Sequence, residues 1–131
     1  MLFLALTSAT GQSKKHTPKK SCWDTSTSQA ELNECAGTDI QKADAELNRL
    51  YSVLLQKLKS DAVALDSLKE SERQWLKYRD AQMKALHPHP ETEGSAEPMC
   101  RSSEMAELTT ERIKILKNML HPMEGDVCAY R

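Results

Sequence analysis

The chain has 131 residues, 39% apolar and 5% aromatic, which fits one domain with short tails and leaves little material for a sheet. The net charge of −1 is unevenly spread: residues 1–21 hold Lys14, Lys15, Lys19 and Lys20 and no acid, so the remainder carries 14 basic against 19 acidic residues. Such a balance excludes nucleic acid as the expected partner, because phosphate contacts need clustered Lys and Arg, and it favours cationic partners.

Met1 to Gly11 is an apolar run followed by small residues. It resembles the end of a secretory signal peptide, with cleavage after Ala9 or Gly11. With the cysteines, it predicts an exported protein, periplasmic or secreted. The run is shorter than the roughly 18 apolar residues that span a bilayer, so no stable membrane insertion is expected after the leader is removed. Residues 12–21, with Pro18 and four lysines, read as a basic linker, and the domain is assigned to residues 22–131.

The first helix is predicted to start near Thr27 or Ser28, where Ser28-Gln29-Ala30-Glu31 has the form of a capping box. Leu32, Ala36, Ile40, Ala43, Leu47, Leu50, Leu54 and Leu58 continue at steps of three and four. Gly37 inside that run predicts a kink or a close helix contact. Ser60-Asp61 reads as a tight connection and as the cap of a second helix, whose apolar face runs through Leu68, Trp75, Arg79, Met83 and Leu86. Pro88 and Pro90 end it. After an acidic, proline-rich loop, a third helix starts at Pro98 or near Ser103 and stops before Pro122. The prediction is an all-α fold: a three-helix antiparallel bundle with disulfide-tied tails.

Four cysteines in a small exported domain read as two disulfides. Cys22 lies just before the first helix and Cys35 two turns inside it, which favours Cys22–Cys35 and leaves Cys100–Cys128. The second bridge is hard to close if the third helix starts at Pro98. That helix would be about 33 Å long, against about 27 Å for the fully stretched tail. It closes easily if the helix starts near Ser103; otherwise Cys35–Cys100 with Cys22–Cys128 remains open. A zinc site is disfavoured, since no Cys-x-x-Cys occurs. Trp23, beside Cys22, is expected to pack over the first bridge.

Trp75 reads as a core anchor. Asp44, Asn48, Arg79, Asp80 and Arg112 lie among apolar helix faces and are predicted to form an interhelical polar network that fixes register. No nucleophile elbow, phosphate loop or metalloprotease motif is present, so no catalytic residue is assigned. The loop bearing His87, His89, Glu91, Glu93 and Glu97 is the candidate binding surface, because function concentrates in loops on rigid scaffolds. His87-x-His89 beside Glu91 and Glu93 is metal-ligand chemistry, but it is read here as a solvated loop, with no metal assigned.

Several stretches, taken in order, carry a resemblance. They are Cys22, Gln29-Ala30-Glu31-Leu32-Asn33-Glu34-Cys35-Ala36, Ala43-Asp44-Ala45-Glu46-Leu47-Asn48-Arg49-Leu50-Tyr51, Trp75-Leu76-Lys77-Tyr78-Arg79-Asp80, Gly94-Ser95, Cys100 and Leu108-Thr109-Thr110-Glu111-Arg112. Together they resemble the lysozyme-inhibitor LprI-like domain family over residues 22–120. The resemblance implies a small, exported, all-helical bacterial domain that uses no cofactor. With the acidic charge balance, the expected partner is a protein, lysozyme or another cationic envelope protein, with lysozyme inhibited by non-covalent occlusion of its cleft. The alternative is a structural or chaperone-like periplasmic module with a different protein partner. Three departures stand out. Met83 occupies the position of the family's usual partner for Cys100, making Cys128 the candidate replacement; Glu72 stands where Gln is frequent; and no lipid-attachment Cys follows the apolar run.

Overall fold

The computed structural model describes residues 20–129, and these contain helices and no strand. Among the described residues four α-helices occur in order: α1 (Cys22–Thr25), α2 (Gln29–Lys57), α3 (Ala62–Leu86) and α4 (Glu97–Leu120), with a 3-10 turn at Pro90–Thr92. The expected leader and most of the basic linker lie outside the described residues.

Local chemistry sets the boundaries. Ser28 caps α2 by accepting a hydrogen bond from the Glu31 N–H at 3.3 Å. The Glu31 carboxylate instead accepts from the Thr27 N–H at 2.6 Å, so the expected box is displaced by one residue on that side. Asp61 Oδ1 accepts from the Ala64 N–H at 3.0 Å and opens α3. α3 ends two residues before Pro88 and α4 two residues before Pro122, because proline disfavours a helical residue ahead of it. α4 begins at the earlier of its two expected starts, with Pro98 in its first turn, where a missing N–H is tolerated. The turn into α4 uses Gly94 at φ +78°, a conformation that costs glycine little. The single turn α1 departs from the three-helix expectation. It forms because Ser21 and Asp24 make a complete capping box. α2 runs unbroken through Gly37, and a Cβ there would meet nothing within 4 Å. Gly37 therefore marks no close helix contact, contrary to the expectation.

Cross-links between helices give the directions. Asn33 Nδ2 donates to the Ser95 carbonyl at 3.1 Å, and Lys57 Nζ donates to the Met119 and Leu120 carbonyls at 3.3 Å. The beginnings of α2 and α4 thus meet, as do their ends. α3 runs the other way, with Arg79 near its end reaching Asp44 and its first half meeting Arg112 through Glu72. The close backbone seam is between α2 and α4, while α3 stands farther off. Large side chains on α3 fill the intervening space, and helix spacing follows side-chain size at the contact. The tight α2–α3 connection therefore does not produce a close α2–α3 seam.

The apolar core gathers toward the α2–α3 turn: Leu47, Leu50, Leu54, Leu58, Leu68, Ile113 and Leu116 are buried together, with Trp75 packed against them. At the other end, Cys22–Cys35 ties α1 to α2 with Cα atoms 5.8 Å apart. Trp23 is 40% exposed and donates from Nε1 to Asp39 at 2.8 Å, so its polar end is anchored on α2. Cys100 and Cys128 are free, exposed thiols, which corrects the expected second bridge. Cys100 lies in the first turn of α4, about 30 Å of helix from Leu120. The tail then folds through turns at Met123–Asp126 and Asp126–Ala129 instead of stretching back. With Cys22 and Cys35 joined, the alternative pairings are also excluded.

Candidate functional site

Two polar groups link the helices. In the first, Arg79 Nη1 donates to Asp44 Oδ1 at 2.7 Å and to Thr109 Oγ1 at 2.9 Å. In the second, Arg112 donates from Nε and Nη2 to Glu72 Oε2 at 3.0 and 2.9 Å, and from Nη2 to Ser71 Oγ at 3.0 Å. Both guanidinium groups flank the Trp75 ring, with Cζ atoms 5.0 Å (Arg79) and 5.8 Å (Arg112) from its centroid. Trp75 thus adds cation–π attraction to its packing against the core.

Of the five residues expected in one network, Asp44, Arg79 and Arg112 make interhelical bonds. Asn48 and Asp80 lie on exposed faces and join neither group among the described residues. The acid that Arg112 needs is Glu72, which sequence reasoning passed over. The clue was its register: 68, 72, 75, 79 and 83 form one unbroken stripe at steps of four, three, four and four.

The loop after α3 is less solvated than its sequence indicates. His87 is 7% exposed. Its Nδ1 meets Glu93 Oε2 at 2.6 Å and its Nε2 meets Glu104 Oε2 at 2.6 Å. Hydrogen bonds to Glu93 and then Glu104 raise its pKa above the usual 6.5, because both ring nitrogens donate only in the imidazolium. Glu97, 15% exposed at its side chain, also turns inward, with Arg101 Nη1 3.8 Å from its Oε1. His89 and Glu91 project outward as a loose pair, 3.8 Å apart. The five expected binding residues therefore divide: His89 and Glu91 face solvent, while His87, Glu93 and Glu97 converge. Ligand atoms of these three lie within 4.8 Å of one another, so they, and not His87-x-His89, are the set that fits a metal ion. Glu104 was missed because it lies 17 residues from His87 with no local signal joining them.

The shift of His87 has a definite sign. Its folded pKa is raised, so the stability it contributes is fully present below about pH 6.5, the unfolded value, and is lost as pH rises through the folded pKa. In chelator-treated protein, thermal scans from about pH 6 to pH 9 should show Tm falling for the parent chain. His87→Gln should lack that component of the fall, and an identical profile in the variant would exclude the clasp.

Beside this clasp, α3 and α4 form an open groove of about 300 Å³. Glu104, Glu107 and Glu111 line it from α4, and Tyr78 and Leu86 from α3, with Tyr78 53% and Leu86 46% exposed. Positions 104, 107 and 111 share one helix face, a pattern legible in the sequence but not singled out there. All three carboxylates stand on one wall, unlike the carboxylate pair of a glycoside hydrolase, which flanks the scissile bond. The arrangement suits binding of a basic, partly apolar surface. A second cavity, about 450 Å³, lies at the far end near Leu58, Ala64, Leu68 and Met119 and holds no comparable charge cluster.

Comparison with known proteins agrees with the early resemblance. The family model described as lysozyme inhibitor LprI matches residues 22–116. An uncharacterized protein of Rhizobium meliloti (strain 1021) is 37% identical, the match covering 75% of this chain and 78% of that protein. No solved structure matches the chain.

Proposed function

The chain belongs to the lysozyme inhibitor LprI family, and from that membership we propose that it is an exported envelope protein that binds a cationic protein, lysozyme first among the candidates, by non-covalent occlusion. The observation that carries the reading is the α3–α4 groove, where Glu104, Glu107 and Glu111 stand beside exposed Tyr78 and Leu86. Animal-type lysozymes are strongly basic, and acidic groups around an aromatic anchor match such a surface in charge and in contact chemistry. Exposed Glu91 adds a further acidic side chain on the loop that follows α3. Glu93 and Glu97, engaged internally, position that loop and contribute less to the binding surface. No helix among the described residues is long and apolar enough to cross a membrane, and the Cys22–Cys35 bridge is compatible with an oxidising compartment.

A titration of lysozyme activity with the oxidised protein tests this. Stoichiometric inhibition at micromolar protein is expected, weakening as salt rises. Glu107→Lys combined with Glu111→Lys should weaken inhibition about tenfold or more through lost complementarity, while thermal stability stays near the parent value. Absence of inhibition, or inhibition untouched by the charge reversal, would overturn lysozyme as the partner at this groove. The second reading, a structural or chaperone-like periplasmic module, rests on the same groove, whose charge favours a cationic partner whether or not that partner bears a cleft. Recovery from envelope extract of a different basic protein, lost in the charge-reversed variant, would favour it.

A further inference from the structure

We propose that His87, Glu93 and Glu97 form a binding site for a borderline divalent cation of the zinc type, with Glu104 orienting the imidazole. Donor type is the first support. One imidazole and two carboxylates converge with ligand atoms within 4.8 Å of one another. Two ligands bonded at 2.0–2.1 Å to one tetrahedral zinc ion stand about 3.4 Å apart, a spacing between the 2.6 Å contact of Nδ1 with Glu93 and the 4.8 Å outer limit of the cluster. An imidazole in the set favours zinc-like ions over calcium or magnesium, which prefer all-oxygen shells.

The second support is the arrangement behind the imidazole. The side chain of His87 is 6% exposed, and its Nε2 faces Glu104 Oε2 at 2.6 Å. Metal-ligating histidines commonly donate the other ring N–H to a carboxylate, which fixes tautomer and ring orientation. With Glu104 on Nε2, Nδ1 is the nitrogen directed at Glu93 and the cluster. The ion takes the place of the proton that Nδ1 shares with Glu93, and that proton leaves to solvent.

The third support is independent of the histidine. Glu97 Oε1 is buried and has no hydrogen-bond partner. Arg101 Nη1, at 3.8 Å, is beyond hydrogen-bonding distance, and its side chain is 45% exposed. An unsatisfied buried oxygen is costly, and an ion or water is one of the few things that satisfies it. With His87 protonated, three carboxylates face one imidazolium and one distant guanidinium, so the pocket keeps an excess of negative charge that a divalent cation neutralises.

The test is titration of Zn²⁺ into chelator-stripped protein at about pH 7.5, where competition from the proton on imidazole is reduced. Cys100 and Cys128 are replaced by Ser in this background, since free thiols are themselves zinc ligands. One saturable equivalent at micromolar concentration is expected, with a rise in Tm. Glu97→Gln should lower the affinity roughly tenfold to a hundredfold, and Glu104→Gln by a similar factor through the loosened imidazole. Glu97→Gln gives up no hydrogen bond at Oε1, and its Tm without metal serves as the folding control. Saturable uptake absent up to about 1 mM Zn²⁺, or equal in parent and Glu97→Gln, would overturn the site. Calcium bound as tightly as zinc would overturn the assignment to an imidazole-preferring ion.

Discussion

Replacing Arg112 by Ala should cost about 3–5 kcal/mol, a large share of the stability of a domain of this size. The residue is 7% exposed, and so is the Glu72 it holds. Removing the guanidinium strips Glu72 of both of its charged hydrogen bonds from Arg112 and leaves Ser71 and one flank of Trp75 without their partner. The carboxylate is then buried without a partner, and that desolvation is what makes the loss large. Exchanging both members for apolar residues, Glu72→Leu with Arg112→Met, should recover most of the loss, because no charge remains to be solvated. Urea unfolding of the single and double variants measures this. A single variant within about 1 kcal/mol of the parent would mean that water reaches Glu72 and the pair is not buried in solution.

Leu116→Ala is the second large effect expected, about 2–5 kcal/mol. Leu116 is 0% exposed and belongs to the cluster shared by all three long helices. Truncation removes its transfer free energy and leaves a cavity whose neighbours, Leu50 and Leu54 among them, are fixed by their own packing. Its neighbour Ile115 is 51% exposed, so Ile115→Ala should stay within about 0.5 kcal/mol. The contrast is read from denaturation midpoints at unchanged m-value. Equal losses at positions 115 and 116 would contradict the face that α4 turns inward.

Much of the fold is legible in the sequence because the signals are local. The steps of three and four through Leu47, Leu50 and Leu54 specify α2, Ser28 and Asp61 cap their helices, and Pro88 and Pro122 stop theirs. Each acts within a turn or so of its own position. The site is less legible for two reasons. Glu72 interrupts an apolar stripe with a charge, so it looks like a break in the pattern although it occupies the inward register. His87 precedes a proline in an acidic stretch and looks solvated, yet it continues the same stripe one turn past Met83 and is buried. Whether such a residue faces inward depends on a partner far away in the chain, Arg112 for one and Glu104 for the other, and spacing along one helix carries no information about that partner. The Cys100–Cys128 expectation failed because α4 takes the earlier of its two starts, the case in which the length of the helix keeps the tail from reaching back.

The standing-off of α3 has a consequence for how the molecule opens. α2 and α4 are joined along a close seam, whereas α3 stands off and, besides buried Leu68 and Met83, is held through the long or polar side chains of Glu72, Trp75 and Arg79. Local stability follows the density of buried apolar contact. α3 is therefore expected to open at the lowest free energy of the three long helices, and hydrogen exchange should show its amides losing protection first. It also supplies Tyr78 and Leu86 to the groove, so a ligand seated there closes the segment that otherwise fluctuates most, and protection of α3 becomes a direct readout of occupancy.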